Sequence, residues 1–288
     1  EDGVRLLICA GGTGGGVYPA LAVLQSLDRK ADPVLWVGGE GGMEASLVQR
    51  AGIPFRPIPA AGVHGVSPLR LPQNLWQLVR GYQSAQRILK EFQPDVLLLT
   101  GGYVAVPMAL AGRHIPTLVY VPDIEPGQAL KVAARFANCI ALTAESSRIF
   151  FPGRHQLVVT GYPTRHDLKL WNRKTAQDTF KLDPDLRTLL VFGGSKGARS
   201  INRALISALP GLLKEMQIIH ITGQLDYAEV ETARQSLEAQ VTGRYHVYSY
   251  LHEEMGAALS AADLVVSRAG ASTLGEFPLF GLPAVLVP

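Results

Sequence analysis

The 288-residue sequence has little cysteine: two residues, Cys9 and Cys139, each inside an apolar segment. Two isolated thiols exclude a disulfide framework and favour small buried side chains in a reducing compartment. No group of cysteine and histidine residues has the short spacing that a metal site requires. We therefore expect neither a metal nor a cofactor.

Charge is also limited. Charged residues make up 18% of the chain, and 27 Lys and Arg against 24 Asp and Glu give a net charge of +3. A net charge this small, with cations dispersed along the chain, does not indicate the basic face of a nucleic-acid binder. We therefore expect no nucleic-acid partner. Neither a signal peptide nor an apolar run near the ~20 residues of a membrane span is present, and a cytoplasmic location is expected.

Apolar runs of strand length alternate with stretches of helical period along the whole chain. Runs that are apolar at every position indicate parallel strands with helices on both faces. The alternation restarts at residue 188 after a polar stretch, 164–187, that reads as a linker and a surface helix. The predicted strands are 5–10, 33–38, 54–59, 95–100, 116–121, 139–143, 157–161, 188–194, 217–223, 245–250, 263–270 and 283–288. The predicted helices are 18–29, 42–51, 73–91, 103–112, 128–137, 145–150, 199–208, 226–239, 253–261 and 272–280.

This pattern predicts an α/β protein of two Rossmann-like parallel-sheet domains, residues 1–161 and 162–288, that face each other across a cleft. The last predicted strand, 283–288, has no helix after it in the sequence. A buried parallel strand needs cover on both faces, so we expect the natural protein to continue past Pro288.

Three predicted strands run into glycine-rich turns: GGTGGG at 11–16, GGY at 101–103 and GGSKG at 193–197. Glycine lets the backbone approach a ligand closely, and the N-terminus of the helix that follows offers unpaired N–H groups to phosphate. One such turn is equally a tight connection, but three indicate a diphosphate-bearing ligand between the domains. None is a Walker loop, and Val17 breaks the dinucleotide fingerprint, which disfavours a nicotinamide dehydrogenase.

The segment SRAGASTLGEF, residues 267–277, places Glu276 on the first turns of a predicted helix. A carboxylate there can accept hydrogen bonds from the two vicinal hydroxyls of a ribose. It can equally complement the helix dipole, and the sequence leaves both roles open.

Five segments in this order resemble the MurG family over nearly the whole chain, from about residue 5 to 288: GGTGG-x-VYPALAV, GGYV, GYPTR, GGSKGARSIN and SRAGASTLGEFPLFGLPAVLVP. Members of that family transfer N-acetylglucosamine from UDP-N-acetylglucosamine to the polyprenyl-diphosphate-linked muramyl-pentapeptide of peptidoglycan synthesis, on which the cell wall, cell shape and cell division depend. The resemblance implies a GT-B fold, a metal-independent inverting hexosyltransferase, and a cytoplasmic enzyme peripheral on the inner face of the cell membrane.

The resemblance also implies which residues contact the substrates. It assigns the UDP-sugar donor to Thr13, Gly14, Gly15, Arg165, Gly194, Ser195, Leu251, Ala271, Ser272, Thr273, Leu274, Gly275 and Glu276. It assigns the acceptor to Gly16, Gly101, Gly102 and Tyr103, with the acceptor's diphosphate at the turns around Gly14 and Gly101–Tyr103. Two glutamines that bind the donor sugar in the family would fall after Pro288.

The sequence departs from the family at two places near the reacting sugars. The first glycine loop of the family reads Gly-Gly-His, with a histidine proposed to assist catalysis, whereas this chain has Gly16. A His-Glu-Gln-Asn segment is replaced by VPDIEPG, residues 121–127. Asp123 is the best-placed substitute base, ahead of Glu125 and His64, although an aspartate before a bend is also an ordinary turn residue. Two alternatives therefore stay open: a transferase with a different acceptor, and a non-catalytic nucleotide-sugar-binding protein.

A lipid-linked acceptor would bring the protein to an anionic membrane surface. The segment 69–92 has an apolar stripe at helical spacing, flanked by cations. The stripe is Leu75, Leu78, Val79, Tyr82, Ile88 and Leu89, and the cations are Arg70, Arg80, Arg87 and Lys90. We expect the stripe to pack on the sheet, while Trp76 lies off its centre and can enter lipid headgroups. The alternative is that Trp76 sits at the edge of an ordinary amphipathic helix.

Overall fold

The computed structural model describes residues 3–12, 14–27, 31–42, 44–62, 67, 69–153, 156–194 and 197–288. The chain divides into two compact units, residues 1–164 and 165–288, where the sequence predicted a division at 161/162. Each unit is built on one parallel sheet. The predicted fold class, α/β with two Rossmann-like sheets, is therefore confirmed.

The first unit contains a seven-stranded sheet. Its strands are β1 (Val4–Cys9), β2 (Ala31–Gly39), β3 (Phe55–Ile58), β4 (Val96–Leu99), β5 (Thr117–Val121), β6 (Cys139–Leu142) and β7 (Leu157–Val159). Its helices are α1 (Gly14–Leu27), α2 (Glu44–Arg50), α3 (Leu71–Phe92), α4 (Ala105–Ala111) and α5 (Gln128–Ala133), with 3₁₀ helices at Ala134–Phe136 and Glu145–Phe150. The strand order is β3-β2-β1-β4-β5-β6-β7, and neighbours are parallel.

Helices cover both faces of this sheet, which is why its strands are apolar at every position. Leu6 and Ile8 of β1 pack with α1 and α2 on one face. Leu7 and Cys9 pack with α3, α4 and α5 on the other, because successive side chains of a strand point to opposite faces. The connections change face between β1 and β4, and such a switch point opens a crevice at the carboxyl ends of the strands.

The second unit repeats this plan with five strands. They are β8 (Arg187–Phe192), β9 (Met216–Ile221), β10 (Tyr245–Tyr248), β11 (Leu264–Arg268) and β12 (Ala284–Val287), in the order β10-β9-β8-β11-β12. The helices are α6 (Arg173–Phe180), α7 (Arg199–Leu212), α8 (Tyr227–Gln235), α9 (Ala239–Thr242), α10 (Met255–Ala261) and α11 (Thr273–Leu279), with a 3₁₀ helix at His166–Leu170. Helices α7 and α8 pack on one face, and α6, α10 and α11 pack on the other. The switch point of this unit therefore lies between β8 and β11.

The polar stretch 164–187 forms the predicted surface helix, and the helix is anchored at both ends. Asn172 and Thr175 close a capping box at the start of α6, which satisfies two backbone N–H groups that the helix leaves unpaired. Ala176 and Phe180 are buried in the core of the second unit. The stretch thus contributes to the core as well as to the connection.

The expectation for the stripe on α3 is wrong in its first half. Ile88 and Leu89 are buried as predicted, but Leu75 and Val79 are about half exposed. The cause is length: this 22-residue helix spans about 33 Å, whereas a four-residue strand such as β3 spans about 13 Å. The sheet covers only part of the apolar stripe, and the rest faces solvent.

Candidate active site

Two glycine turns lie side by side at the switch point of the first unit. Gly11–Gly12 follows β1, and Gly101–Gly102 follows its neighbour β4. Gly12 and Gly102 have φ angles of +89° and +82°, a region that side-chain-bearing residues rarely adopt. A Cβ on Gly102 would lie 2.6 Å from the Gly11 carbonyl oxygen, so the two backbones approach as closely as they do only because no side chain separates them.

The remaining glycines of the first segment belong to a helix. The sequence predicted a helix from residue 18, but α1 begins at Gly14; Thr13 lies outside the described residues. The buried Thr100 hydroxyl donates a hydrogen bond to the Gly16 carbonyl at 2.6 Å. A Cβ on Gly16 would lie 3.1 Å from the Thr100 carbonyl oxygen. The position where the MurG resemblance expects a histidine is therefore a close backbone contact in this chain.

Behind the Gly11–Gly12 turn lies a carboxylate that the sequence analysis missed. Glu44, the first residue of α2, is fully buried. It accepts hydrogen bonds from the Gly39 N–H at 2.7 Å and from the Gly12 N–H at 3.4 Å. Burial and, to a smaller extent, the Glu44 charge raise the pKa of the Cys9 thiol, so that this thiol stays protonated and unreactive.

Tyr103 closes the second glycine turn and is 56% exposed. Its ring lies over Gly62, where a Cβ would be 2.5 Å from the ring carbon that bears the hydroxyl. The Gly62 carbonyl in turn accepts a hydrogen bond from the Asn74 amide of α3 at 2.6 Å. The structure thus brings all the residues that the sequence predicted for the acceptor, Gly16 and Gly101 to Tyr103, to one edge of the sheet.

The candidate bases follow β5, which is the next strand after β4. Asp123 is exposed, yet the surrounding protein shields its carboxylate enough to raise its pKa. The Glu125 carboxylate instead lies 3.5 Å from the Lys131 ammonium, and His64 falls outside the described residues. Strand β1 leads to the first glycine turn, and β5 leads to Asp123. The two strands are separated by β4, so their axes lie about 10 Å apart. Asp123 is the better candidate of the two described.

The third glycine turn lies at the switch point of the second unit, between β8 and α7. Gly194 and Gly197 have φ angles of +86° and +77°, and the Gly197 N–H donates to the Gly194 carbonyl at 3.0 Å. A Cβ on Gly197 would collide with the Thr222 carbonyl. Ser195 lies outside the described residues. The turn delivers the chain to the N-terminus of a 14-residue helix, whose first N–H groups are available to an anion.

A chain of polar side chains, buried except for Arg199, holds that end of α7 in place. Arg199 and Asn202 both donate to the Asp226 carboxylate at 2.9 Å. The Asn202 oxygen is 2.9 Å from His220 Nε2, and His220 Nδ1 is 2.7 Å from the Tyr245 hydroxyl. Since the Asn202 oxygen can only accept, His220 carries its proton on Nε2, and burial lowers its pKa to about 4. These residues are scattered over the sequence, and no spacing could have identified them.

Glu276 lies on α11, just past the end of β11, and is half-buried. Desolvation raises its pKa to about 7, against an opposing contribution from the nearby Arg165 and with a further increase from Asp167. The Arg165 guanidinium is 3.4 Å from the Asp167 carboxylate. The structure therefore brings two predicted donor residues, Arg165 and Glu276, together with one that the sequence analysis missed, Asp167.

The other predicted donor residues of this unit lie in the β11–α11 connection and after β10. The first group is Ala271, Ser272, Thr273, Leu274 and Gly275. The Thr273 hydroxyl donates to the Gly270 carbonyl at 2.6 Å and so stabilises the turn. Leu251 is buried in the core, which leaves its backbone as the part able to meet a ligand. Within the described ranges, no group of three or more His, Cys, Asp or Glu side chains is placed to hold a metal ion.

Two doubly wound parallel sheets, with two glycine turns at the switch point of the first and one at that of the second, are typical of the GT-B fold. Residues 6–142 match the glycosyltransferase family 28 N-terminal domain, and residues 188–288 match the glycosyltransferase family 28 C-terminal domain. The crystal structure of Acinetobacter baumannii MurG is similar over 99% of this chain and 79% of that one, with a TM-score of 0.72 and 30% identity.

Two relatives are each 41% identical over 99% of this chain and 78% of their own length. They are the UDP-N-acetylglucosamine–N-acetylmuramyl-(pentapeptide) pyrophosphoryl-undecaprenol N-acetylglucosamine transferases of Roseiflexus sp. (strain RS-1) and Desulforamulus reducens. On this evidence the chain belongs to the MurG family of glycosyltransferases, which confirms the resemblance seen in its sequence.

Proposed function

We propose that this chain transfers N-acetylglucosamine from UDP-N-acetylglucosamine to the lipid-linked muramyl-pentapeptide precursor of peptidoglycan, with inversion at the anomeric carbon. The observation that carries the proposal is the identity of 41% over 99% of the chain to relatives named for this transfer. The phosphate-type turns at both switch points support it, because donor and acceptor each carry a diphosphate.

The second unit takes the donor in this proposal. The N–H groups at the start of α7, beyond Gly194, and the Arg165 guanidinium bind the diphosphate. The Glu276 carboxylate accepts hydrogen bonds from the ribose hydroxyls, and the Leu251 backbone meets the uracil. The buried chain from Asp226 through Asn202 and His220 to Tyr245, with the exposed Arg199 at its end, fixes the direction of α7, so that its amides are aimed before the donor arrives.

The first unit takes the acceptor. Its diphosphate lies against the Gly101–Gly102 turn and the first N–H groups of α1, from Gly14 to Gly16, while Tyr103 offers an exposed ring to the adjoining part of the substrate. An acceptor hydroxyl attacks the anomeric carbon, the bond from that carbon to the UDP oxygen breaks, and Asp123 accepts the hydroxyl proton. The helix end and Arg165 stabilise the charge that develops on the departing diphosphate.

The exposed part of the α3 stripe suits a membrane surface. Leu69 is 91% and Trp76 62% exposed, with Leu71, Leu75 and Val79 beside them, and Arg70 and Arg80 are exposed at the same end. Apolar side chains next to cations favour the interface of an anionic bilayer. We place the protein in the cytoplasm, peripheral on the inner face of the cell membrane. No helix in the described part of the chain has the length and apolar character that crossing a bilayer requires.

The function is tested by incubating the purified protein with UDP-N-acetylglucosamine and a soluble muramyl-pentapeptide diphospholipid analogue, and detecting the product by mass. We expect a product heavier than the acceptor by one N-acetylhexosamine, because relatives that are named for this transfer are 41% identical over 99% of the chain. Binding of the donor without any disaccharide would refute the proposed reaction and favour a different acceptor or a non-catalytic homologue.

Replacing Asp123 with asparagine keeps the shape of the side chain and removes its basicity. We expect kcat to fall by about 10²–10⁴-fold, the usual contribution of a positioned base, with the donor KM unchanged. Glu125→Gln is the matched control, because Glu125 is an exposed carboxylate two residues away that is paired with Lys131. A turnover of Asp123→Asn equal to that of the control would eliminate Asp123 as the base.

The pKa of Glu276, about 7, predicts a pH-dependent affinity for the donor. The carboxylate form binds the two ribose hydroxyls, so protonation below pH 7 removes an acceptor, and we expect the KM for UDP-N-acetylglucosamine to rise about tenfold from pH 8 to pH 6. The donor itself does not titrate in this interval. Glu276→Gln should show a high KM without this pH dependence; a wild-type KM that stays flat between pH 6 and 8 would contradict the assignment.

Sedimentation with anionic vesicles tests the membrane surface. We expect Trp76→Ser to bind severalfold more weakly, and Arg80→Gln about fivefold more weakly, since a cation near such a surface contributes about 1 kcal/mol. Leu225→Ser is the control, because Leu225 is 83% exposed but belongs to the second unit and not to α3. Equal binding by all three variants and the wild type would show that α3 does not contact lipid.

A further inference from the structure

Glu44 is a charged side chain that the proposed reaction leaves without a role. It is fully buried, and no lysine, arginine or histidine in the described part of the chain forms an ion pair with it. Its hydrogen-bond partners among the described residues are the backbone N–H groups of Gly39 and Gly12. Burying a carboxylate without a cation costs free energy, so the position needs a reason beyond packing.

The surrounding glycines leave room for this carboxylate. A Cβ on Gly11 would lie 2.5 Å from one of its oxygens, a Cβ on Gly38 would lie 2.8 Å from its Cγ, and a Cβ on Gly42 would collide with both oxygens. Glycine on three sides lets the carboxylate reach the back of the first glycine turn. No other described side chain accepts a hydrogen bond from the Gly12 N–H.

The first glycine segment is consequently held from both sides. Glu44, which follows β2, accepts from the Gly12 N–H, and Thr100, at the end of β4, donates to the Gly16 carbonyl. Between these two hydrogen bonds the backbone passes from the turn into the first residues of α1, whose N–H groups have no partner within the helix. The direction of those N–H groups depends on how the turn before them is fixed.

We infer that Glu44 is a positioning residue for the acceptor diphosphate: it fixes the Gly11–Gly12 turn against Gly101–Gly102 and so aims the first N–H groups of α1 at the anion. The inference rests on the proposed function, in which this edge of the first unit takes the acceptor. The role is geometric, because the Glu44 charge by itself repels an anion.

Glu44→Gln separates geometry from charge. The glutamine side chain has one acceptor oxygen. Its amide nitrogen must therefore face one of the two N–H groups that donate to the carboxylate in the wild type. We expect the KM for the acceptor analogue to rise about tenfold, as for the loss of one hydrogen bond to a charged group, with kcat and the donor KM within about twofold of the wild type. Glu40→Gln removes the same charge from an exposed position in the same β2–α2 connection and should leave all three constants unchanged.

A folded Glu44→Gln protein with the acceptor KM of Glu40→Gln would overturn the inference, and a lowered acceptor KM would also do so, because charge would then outweigh geometry. Should Glu44→Gln fail to fold, Gly42→Ala displaces the carboxylate without changing its charge and should raise the acceptor KM alone. An inactive wild type would refute the proposed function together with this inference, whereas an active wild type with an unaltered Glu44→Gln refutes the inference only.

Discussion

The structure of the first unit depends on a contact between two stretches of bare backbone. The Gly11 carbonyl and the Cα of Gly102 approach so closely that even a methyl group would not fit between them. Three side chains lie next to this contact: Thr100 donates to the Gly16 carbonyl, Glu44 accepts from the Gly12 N–H, and Tyr103 follows Gly102 in the chain. A site formed in this way presents N–H groups and a carbonyl edge, which suits a ligand with a large, diffuse negative charge.

The second unit holds its glycine turn and the helix after it by different interactions. There the glycine turn leads into a long helix, and hydrogen bonds among the buried side chains of Asp226, Asn202, His220 and Tyr245 fix the helix. A chain of hydrogen bonds in a poorly solvated interior is strong when every member is satisfied. In the proposed function, one unit thus fixes the amides that bind the anion by close backbone packing, and the other fixes them by a polar network.

Much of this could be predicted from the sequence. The alternation of apolar runs and helical stretches predicted both sheets, because a run that is apolar at every position, such as 95–100, is typical of a parallel strand covered on both faces. The glycines that follow three of these runs predicted the three turns. Gly14 to Gly16 were assigned to a turn because glycine is a poor helix former; the contact of Gly16 with Thr100, 84 residues away, outweighs that tendency. Glu44 and His220 owe their surroundings to residues distant in sequence. The stripe of α3 was misjudged because helical spacing is the same for a packed face and for an exposed one.

Asn74 connects two surfaces that the proposed function uses separately. It belongs to the helix whose exposed stripe faces the bilayer in that proposal, and its amide holds the Gly62 carbonyl beneath the ring of Tyr103. In that proposal, the packing of α3 against Gly62 and Tyr103 sets the distance between the acceptor site and the lipid surface. In the proposed function, an enzyme held at that height finds its membrane-bound acceptor by lateral diffusion in two dimensions, and the lipid chain of the acceptor need not leave the bilayer for its sugar to reach the site.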